Sequence, residues 1–81
     1  MNIKILVFAH LKEILGFEEV QLEVPEGSNC QDLFDLLESK YSEIKDHRKH
    51  LKMAMNGEYM QSSDQIVDHA EIAVFPPVSG G

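Results

Sequence analysis

Apolar and polar residues alternate at the start of the chain and again near its end. Residues 2–8 alternate in this way, and one face of the predicted strand is formed by Ile3, Ile5 and Val7. Residues 71–75 also alternate and, like the first strand, are largely apolar on both faces. Strands with two apolar faces are typical of the centre of a sheet. We therefore predict that the first and last strands are neighbours at the centre of a mixed sheet.

Between these strands the pattern predicts two helices and a further strand. Residues 10–16 form a short helical turn that ends at Gly16, a residue type common after the last turn of a helix. Residues 17–24 alternate again and predict a half-exposed antiparallel strand. The main helix is predicted to begin at Asn29 in preference to Ser28, because an apolar stripe then follows. That stripe consists of Leu33, Leu36 and Leu37, with Tyr41 as its last candidate member.

A hairpin signal marks the second half of the chain. Asn56-Gly57 is the strongest two-residue turn pair in the sequence, and it separates a short strand at 53–55 from a return strand at 58–60. In the loop that follows, Ile66 and Val67 are predicted to be a brief apolar anchor. Together these elements predict an α+β protein with a mixed sheet packed on one main helix.

One face of the predicted sheet packs on the main helix, and little sequence is left to cover the other face. Phe8 and Phe75 are expected on this second face, at the ends of neighbouring strands. Exposed apolar patches on small proteins commonly bind other proteins. We therefore predict an exposed apolar patch and a protein partner. The alternative is that the helix at 11–15 and the loops partly bury both aromatic rings.

The chain ends with an apolar strand, two prolines and two glycines. Pro76 and Pro77 have no amide proton and fix their own φ, so the chain must leave the sheet there in a stiff, extended form. The residues after them are Val78, Ser79, Gly80 and Gly81. Glycines without Cβ fit a slot that is too narrow for other residues. We predict a domain over residues 1–76 and a flexible, extended tail over residues 77–81; a frayed chain end is the plain alternative.

Composition and charge narrow the classes of partner. The 81 residues are 43% hydrophobic, which suits one domain that buries about 60% of its unfolded surface. The formal net charge of −7 repels nucleic acid phosphates and anionic membranes, so we expect neither as a partner. The sequence has no apolar run of about 18 residues and no signal-peptide pattern. Its single cysteine fits a reducing compartment, so a cytoplasmic location is expected.

Cys30 and a pair of histidines are the remaining candidates for chemistry. Cys30 falls in the first turn of the main helix, where a helix N-terminus can lower the pKa of a thiol, but no catalytic partner is recognisable nearby. His47 and His50 have the spacing of a metal-binding pair, although no second pair of ligands stands at a useful distance. We therefore expect a structural cysteine, a solvated charged segment and no bound metal.

Several segments together resemble the small, sulfur-carrying subunit of molybdopterin synthase. These segments are Ile5-Leu6-Val7-Phe8-Ala9, Leu11-Lys12-Glu13-Ile14-Leu15-Gly16, Met53-Ala54-Met55-Asn56 and the ending Glu71-Ile72-Ala73-Val74-Phe75-Pro76-Pro77-Val78-Ser79-Gly80-Gly81. The likeness covers essentially the whole chain, and the Phe-Pro-Pro-Val-Ser-Gly-Gly ending is its most specific part. The resemblance implies the ubiquitin-like β-grasp fold, which agrees with the predicted element order.

The resemblance also implies that the chain carries sulfur and is not an enzyme on its own. A ubiquitin-activating-type adenylyltransferase would use ATP to adenylate the carboxylate of Gly81, and sulfur transfer would leave a thiocarboxylate there. Residues 77–80 would then insert into the large synthase subunit, where the sulfur passes to cyclic pyranopterin monophosphate. Phe8, Phe75 and Pro76 would contact that subunit, in an assembly of two small and two large subunits. The resemblance implies no permanently bound cofactor.

Other functions stay open at this point. Sulfur carriers for thiamine or for tRNA thiolation share the fold and the Gly-Gly end, although the Phe-Pro-Pro-Val-Ser approach disfavours them. A ubiquitin-like modifier would need the same activation but an amine acceptor, and a plain interaction module would have an inert tail. The chain also departs from the family at Asp68-His69, where Asp-Gly is typical. Histidine can enter a left-handed turn at some cost, so this departure concerns local stability.

Overall fold

The computed structural model describes residues 1–8 and 10–76, within which a five-stranded mixed sheet packs on one main helix. The strands are β1 (Asn2–Val7), β2 (Glu19–Glu23), β3 (Lys52–Met55), β4 (Glu58–Tyr59) and β5 (Glu71–Phe75). The helices are α1 (His10–Leu15) and α2 (Cys30–Lys40), and two 3₁₀ segments span Ser42–Asp46 and Arg48–His50. The predicted α+β class is confirmed, and the element ends lie within one or two residues of their predicted positions.

The strand order is β2-β1-β5-β3-β4, which places the last strand in the middle of the sheet. β5 is parallel to β1, with Ile72 opposite Ile5, and antiparallel to β3, with Val74 opposite Met53. β1 also pairs with β2 in the antiparallel sense. The prediction that the first and last strands are central neighbours is therefore confirmed.

Helix α2 covers one face of the sheet and closes the core. Leu33 and Leu37 are buried, as the predicted apolar stripe requires, whereas Leu36 and Tyr41 are half-buried at its edge. Ile44, in the first 3₁₀ segment, completes the core from the far end of the helix. The fully buried large side chains are Ile5, Leu33, Leu37, Ile44, Met53, Ile72 and Val74.

Helix α2 begins at a reciprocal cap. The Asn29 side chain accepts a hydrogen bond from the Asp32 amide at 2.8 Å, and the Asp32 carboxylate accepts one from the Asn29 amide at 3.0 Å. This capping box satisfies amides that the helix itself leaves unpaired. Ser28, the alternative cap, is buried and donates its hydroxyl to the Pro25 carbonyl at 2.7 Å. The prediction of Asn29 as the N-cap is confirmed.

The β3–β4 hairpin turns at Asn56-Gly57. Both residues have positive φ, 51° and 89°, as a two-residue turn that matches strand twist requires. The Asn56 side chain accepts a hydrogen bond from the Glu71 amide, and the Asn56 amide donates to the Glu71 carbonyl, each at 2.9 Å. The turn therefore also fixes the start of β5.

The turn at Asp68-His69 joins the starts of β1 and β5. His69 has φ 62°, so the left-handed conformation predicted for this departure is present. The Asp68 carboxylate accepts a hydrogen bond from the Asn2 amide at 2.9 Å and one from the His69 amide at 3.0 Å. The hydrogen bond from the Asn2 amide lowers the pKa of Asp68 below its usual 3.8, and the nearby His69 lowers it further to a smaller extent. The charged form of Asp68 therefore stabilises this junction.

The predicted apolar anchor before this turn is half wrong. Ile66 is buried, but Val67 is 50% exposed. The segment is extended where Gln65 bridges to Asn29, and the Ile66 amide donates to the Ser28 carbonyl at 2.9 Å. Successive side chains of extended backbone point to opposite sides, so only one of the two can enter the core.

Candidate functional site: the open face of the sheet

The strand that leads to the C-terminus is held on both sides. β5 pairs with β1 along one edge and with β3 along the other, and its Ile72 and Val74 are fully buried. Phe75 and Pro76 are half-buried at its end. Pro77, Val78, Ser79, Gly80 and Gly81 lie outside the described residues, so the tail from 77 to 81 and the roles assigned to it stay predictions.

A row of small and apolar residues crosses the sheet on the side away from α2. Leu6 lies opposite Ala73, Ala73 opposite Ala54, and Ala54 opposite Tyr59. Paired residues share a face of the sheet, and the face alternates along each strand. This row therefore lies behind the buried residues of β1, β5 and β3, which face the helix.

Three aromatic rings gather at one end of this surface. Val7 lies opposite Val74, so Phe8 and Phe75 lie side by side at the ends of the neighbouring strands β1 and β5. The ring centroids of Tyr59 and Phe75 are 5.8 Å apart, with the planes tilted by 55°. Phe8 is 48% exposed and Tyr59 is 78% exposed. We call the surface formed by Leu6, Phe8, Ala54, Tyr59, Ala73 and Phe75 the open face.

The sequence analysis left open whether Phe8 and Phe75 are exposed or partly buried, and the two residues differ in this respect. Phe8 is largely exposed, so the expected exposed apolar patch is present. Phe75 is half-buried, and Tyr59 from the hairpin contacts its ring. The structure thus brings Phe8, Phe75 and Pro76 to one end of the sheet. Their contact with a partner protein stays a prediction.

Tyr59 is the one aromatic residue of the open face that the sequence pattern did not single out. The usable signal was the turn, because a two-residue Asn-Gly loop fixes Met55 opposite Glu58 and Ala54 opposite Tyr59. Ala54 in turn lies opposite Ala73 of the last strand. Counting the register outward from the turn would have placed Tyr59 opposite Ala54, whereas its position near the end of β5 also requires the strand order that the structure shows.

Charged residues surround the apolar centre of the open face. Lys52 lies opposite Phe75 at one end, and Lys4 lies opposite Glu71 at the other. Glu19, on the edge strand β2, lies opposite Leu6. An apolar centre with aromatic rings and a charged rim is the usual anatomy of a protein–protein contact. The open face is therefore suited to binding a protein and not to enclosing a small molecule.

Cys30 is a core residue. It is 3% exposed, and its Sγ lies 3.7 Å from the sulfur of Met53. Burial raises the pKa of the Cys30 thiol and Asp64 adds to the rise, with Arg48 opposing them more weakly. The neutral thiol is therefore favoured and a helix-activated thiolate is not, so the structural reading of Cys30 is confirmed.

The described part of the chain has neither a metal-binding cluster nor a membrane-spanning helix. Over residues 1–8 and 10–76, no cluster of three or more His, Cys, Asp or Glu side chains has a geometry that could hold a metal ion. His47 is half-buried and the neighbouring His50 is exposed. Within the same residues, no helix has the length and apolar character needed to cross a membrane.

Comparisons with known sequences extend over the whole chain. The sequence model of the ThiS family matches residues 5–81. A molybdopterin synthase sulfur carrier subunit of Arabidopsis thaliana is 35% identical over 81 residues, covering 100% of this chain and 84% of that protein. The same subunit of Dictyostelium discoideum is 38% identical over 82 residues, covering 96% of this chain and 94% of that protein.

Solved structures with the same architecture include small modifier proteins and ubiquitin. SAMP1 from Haloferax volcanii superposes with a TM-score of 0.87 at 26% identity, covering 100% of both chains. A ubiquitin of Caldiarchaeum subterraneum gives a TM-score of 0.67 at 15% identity, covering 100% of this chain and 98% of that chain. A chain from the Helicobacter pylori complex of molybdopterin-converting factor subunits 1 and 2 gives 0.72 at 18%, covering 100% of both chains. These likenesses confirm the ubiquitin-like β-grasp fold.

Proposed function

Because the chain belongs to the ThiS family and matches molybdopterin synthase sulfur carrier subunits along its length, we propose that it carries sulfur in molybdenum cofactor biosynthesis. It is the small, sulfur-donating subunit of a molybdopterin synthase and not an enzyme by itself. The observation that carries this proposal is the position of β5. This strand is paired on both sides in the middle of the sheet, and in the sequence it is followed by Pro76-Pro77 and then by Gly80-Gly81.

The chemistry of the proposal takes place at the carboxyl group of Gly81. A free carboxylate is a poor acceptor for a sulfur nucleophile, because it is negatively charged and has no good leaving group. A ubiquitin-activating-type adenylyltransferase joins a Gly81 oxygen to the α-phosphate of ATP, and pyrophosphate leaves. Hydrosulfide released by the sulfur donor then attacks the acyl carbon and displaces AMP, and loss of its proton leaves a thiocarboxylate. ATP is a substrate of the activating enzyme, and the carrier itself needs no permanently bound cofactor.

The open face supplies the contact with the large subunit. Phe8, Phe75 and Pro76 lie at the end of the sheet from which the tail departs, and Tyr59 extends the same aromatic surface. A partner seated there receives residues 77–80 in its own pocket, since the six residues from Pro76 to Gly81 span at most about 20 Å when extended. Two prolines limit the entropy lost on insertion, and two glycines keep the end thin.

In the assembled enzyme, the thiocarboxylate passes its sulfur to cyclic pyranopterin monophosphate in the pocket of the large subunit. We propose an assembly of two small and two large subunits, in which each large subunit accepts one tail. The names of the relatives, sulfur carrier subunits of molybdopterin synthase, support a large-subunit partner. The use of ATP and the free thiol of Cys30 support a cytoplasmic location.

The decisive experiment is the intact mass of the chain after incubation with an activating enzyme, ATP and a sulfur donor. The expected result is the mass gain that replacement of one oxygen by sulfur produces. A variant that lacks Gly81 is expected to show no gain. Val67→Ser changes an exposed side chain of the loop before β5, away from the open face, and is expected to gain sulfur like the unaltered chain.

An unchanged mass with several activating enzymes, each shown to thiolate its own carrier, would remove the sulfur-carrier proposal. A gain that persists without Gly81 would place the sulfur elsewhere in the chain. If the mass increases as expected, adding the large subunit and cyclic pyranopterin monophosphate is expected to return it to the starting value and to form molybdopterin.

A second candidate function is protein modification. It is favoured by the similarity to SAMP1, a protein described as a small archaeal modifier, at 26% identity over both whole chains. In this case the activated Gly81 carboxyl group would form an amide with a lysine of another protein. Covalent conjugates of the tagged chain on denaturing gels, lost without Gly81, would support this function. Their absence under conditions that produce the thiocarboxylate would leave sulfur transfer alone.

A further inference from the structure

A cleft lies on the helical side of the sheet, which is the opposite side from the open face. It has a volume of about 700 Å³ and lies between α2 and the two 3₁₀ segments. Phe34 and Leu51 supply its apolar lining. Lys45, Arg48 and Lys49 supply its cations, and Asp46 adds one carboxylate. A neighbouring cleft of about 320 Å³ shares Phe34 and Leu51 and continues towards Met60 and Gln61. The two clefts together form an elongated groove, which we call the basic groove.

The charge of the basic groove contrasts with that of the rest of the molecule. Four of the seven Lys and Arg residues lie within residues 45–52, together with a single acid, Asp46, which gives this segment a formal charge of +3. The rest of the chain has three cations and thirteen acids, a charge of −10, which accounts for the net −7. These four cations line the two clefts, where Asp35 and Glu38 pair with Arg48 and Asp46 is the one further acid, so Lys45, Lys49 and Lys52 leave an excess of positive charge at the groove.

Arg48 has a structural role in the groove, because its positive charge is paired with two carboxylates. Its guanidinium donates to the carboxylates of Asp35 and Glu38, at 2.7 Å in each case, and lies 5.5 Å from the centre of the Phe34 ring. Glu38 and then Asp35 raise the pKa of Arg48, so it stays charged. These contacts hold the second 3₁₀ segment against α2, with Phe34 beneath the guanidinium.

Lys45 and Lys49 supply the free positive charge. Both are exposed, and neither forms an ion pair within residues 1–8 and 10–76. A groove with an apolar lining and two available ammonium groups matches a ligand that combines apolar groups with carboxylates. Such a ligand gains both apolar burial and charge complementarity in the same place.

We propose that the basic groove binds an extended acidic segment of a partner protein. Apolar side chains of that segment lie against Phe34 and Leu51, and its carboxylates face Lys45 and Lys49. A nucleic acid is disfavoured because the charge of −10 on the rest of the chain repels a long polyanion. Since the groove and the open face lie on opposite sides of the sheet, both can be occupied at once. The proposal does not depend on sulfur transfer.

The test is titration of the full chain, labelled with ¹⁵N, with a short synthetic peptide of alternating glutamate and valine. We expect amide resonances to shift at Phe34, Lys49, Leu51 and Ser62, while Ala73 on the open face stays in place. A peptide of alternating glutamate and serine tests the apolar lining, and one of alternating lysine and valine tests the charge. Each is expected to bind at least about fivefold more weakly, the effect of losing about 1 kcal/mol.

Two lysine variants with the same change of charge complete the test. Lys49→Glu is expected to weaken binding of the glutamate–valine peptide by at least about fivefold. Lys40→Glu is the matched control, because Lys40 lies one turn beyond Leu36, on the opposite flank of α2 from Phe34 and Glu38. We expect it to change the affinity by less than about twofold, since its charge lies outside the groove. Both lysines are exposed, so both variants are expected to fold.

Several results would overturn the proposal. These are no shifts at millimolar peptide, shifts confined to the open face, or equal losses in Lys49→Glu and Lys40→Glu. A single-stranded oligonucleotide that moves the same amides with equal affinity would assign the groove to polyanions in general. Sedimentation that shows a dimer in the peptide-free chain, broken by Lys49→Glu, would assign it to a second copy of this chain.

Discussion

Phe8 is a large apolar side chain that the core of the molecule does not need. It is 48% exposed, although it directly follows Val7, whose side chain is buried in the core. Removing a buried aromatic ring usually costs about 3–5 kcal/mol, whereas surface substitutions usually stay within about 0.5 kcal/mol. The position of Phe8 therefore separates binding from folding, which makes it a useful site for mutation.

We expect Phe8→Ala to weaken binding to the large subunit by at least about tenfold, because exposed aromatic rings at the centre of an interface contribute more than about 1.4 kcal/mol. The free energy of unfolding is expected to fall by less than about 1 kcal/mol. Isothermal titration calorimetry and urea unfolding measure the two effects. Val67→Ala, at a side chain of similar exposure (50%), is the control and is expected to leave affinity unchanged. Equal affinity for Phe8→Ala and the unaltered chain would contradict the role of the open face.

Asp68 makes the stability of the fold depend on acid pH. Its pKa in the folded chain lies below 3.8, so the charged carboxylate stabilises the fold above that value, and the contribution is lost as the pH falls through the folded pKa. Glu18, whose pKa is lowered by Lys12, acts in the same direction. We therefore expect the midpoint of thermal unfolding to fall with pH below about 4.

Asp68→Asn is expected to flatten this pH dependence, because an amide oxygen can still accept the hydrogen bond from Asn2 but does not titrate in this range. Thermal unfolding between pH 2 and pH 5, about the range in which carboxylates titrate, measures the effect. Glu58→Gln is the control, since the Glu58 carboxylate has no hydrogen bond or ion pair among the described residues. The same slope in Asp68→Asn and in the unaltered chain would show that Asp68 is not the titrating group.

At the scale of elements, the hairpin is the feature most sensitive to one backbone conformation. Gly57 has φ 89°, and a side chain there is strained even though an added Cβ would meet no atom within 4 Å. We expect Gly57→Ala to lower the free energy of unfolding by about 1–2 kcal/mol, the cost of a left-handed non-glycine residue. Gly57→Asn is the matched control and is expected to lose less, because asparagine tolerates this region. Equilibrium urea unfolding measures both, and equal losses would contradict the conformational explanation.

Elements that depend on local signals could be predicted from the sequence. The cap at Asn29 and the turn at Asn56-Gly57 each depend on residues that are close together in the chain. A short stretch of sequence is therefore enough to predict them. The pairing of the first and last strands followed from their two apolar faces. The predicted burial of Val67 was wrong, because two adjacent apolar residues do not indicate which of them points into the core.

The parts that could not be predicted depend on contacts between distant elements. Tyr59 joins the open face only through the order of β5 and β3, which no single segment encodes. Arg48 finds Asp35 and Glu38 only once the second 3₁₀ segment packs against α2. The basic groove follows from that packing. The sequence predicted a solvated charged segment over residues 45–50, and it carried no signal for the apolar lining beside those cations.

For the whole molecule, the described core is complete before the tail begins. The buried side chains of the described part extend from Ile3 to Val74, and all of them precede Pro76. We therefore expect a chain truncated after Pro76 to keep its free energy of unfolding within about 0.5 kcal/mol while losing all sulfur transfer. Urea unfolding and intact mass measure the two properties. A larger loss of stability would place residues 77–81 within the folded domain and would contradict the predicted boundary at residue 76.

The central position of β5 also has a mechanical consequence. A force applied to the C-terminus acts along β5, so the hydrogen bonds to β1 and to β3, which run across the strands, are loaded in shear and share the load. Peeling would break such bonds one at a time, whereas shear requires many to break together. We expect the chain pulled between its two ends to unfold at a higher force than a chain pulled across the β3–β4 hairpin, which optical tweezers can measure. A partner that grips the tail can therefore withdraw or reposition it without unravelling the carrier.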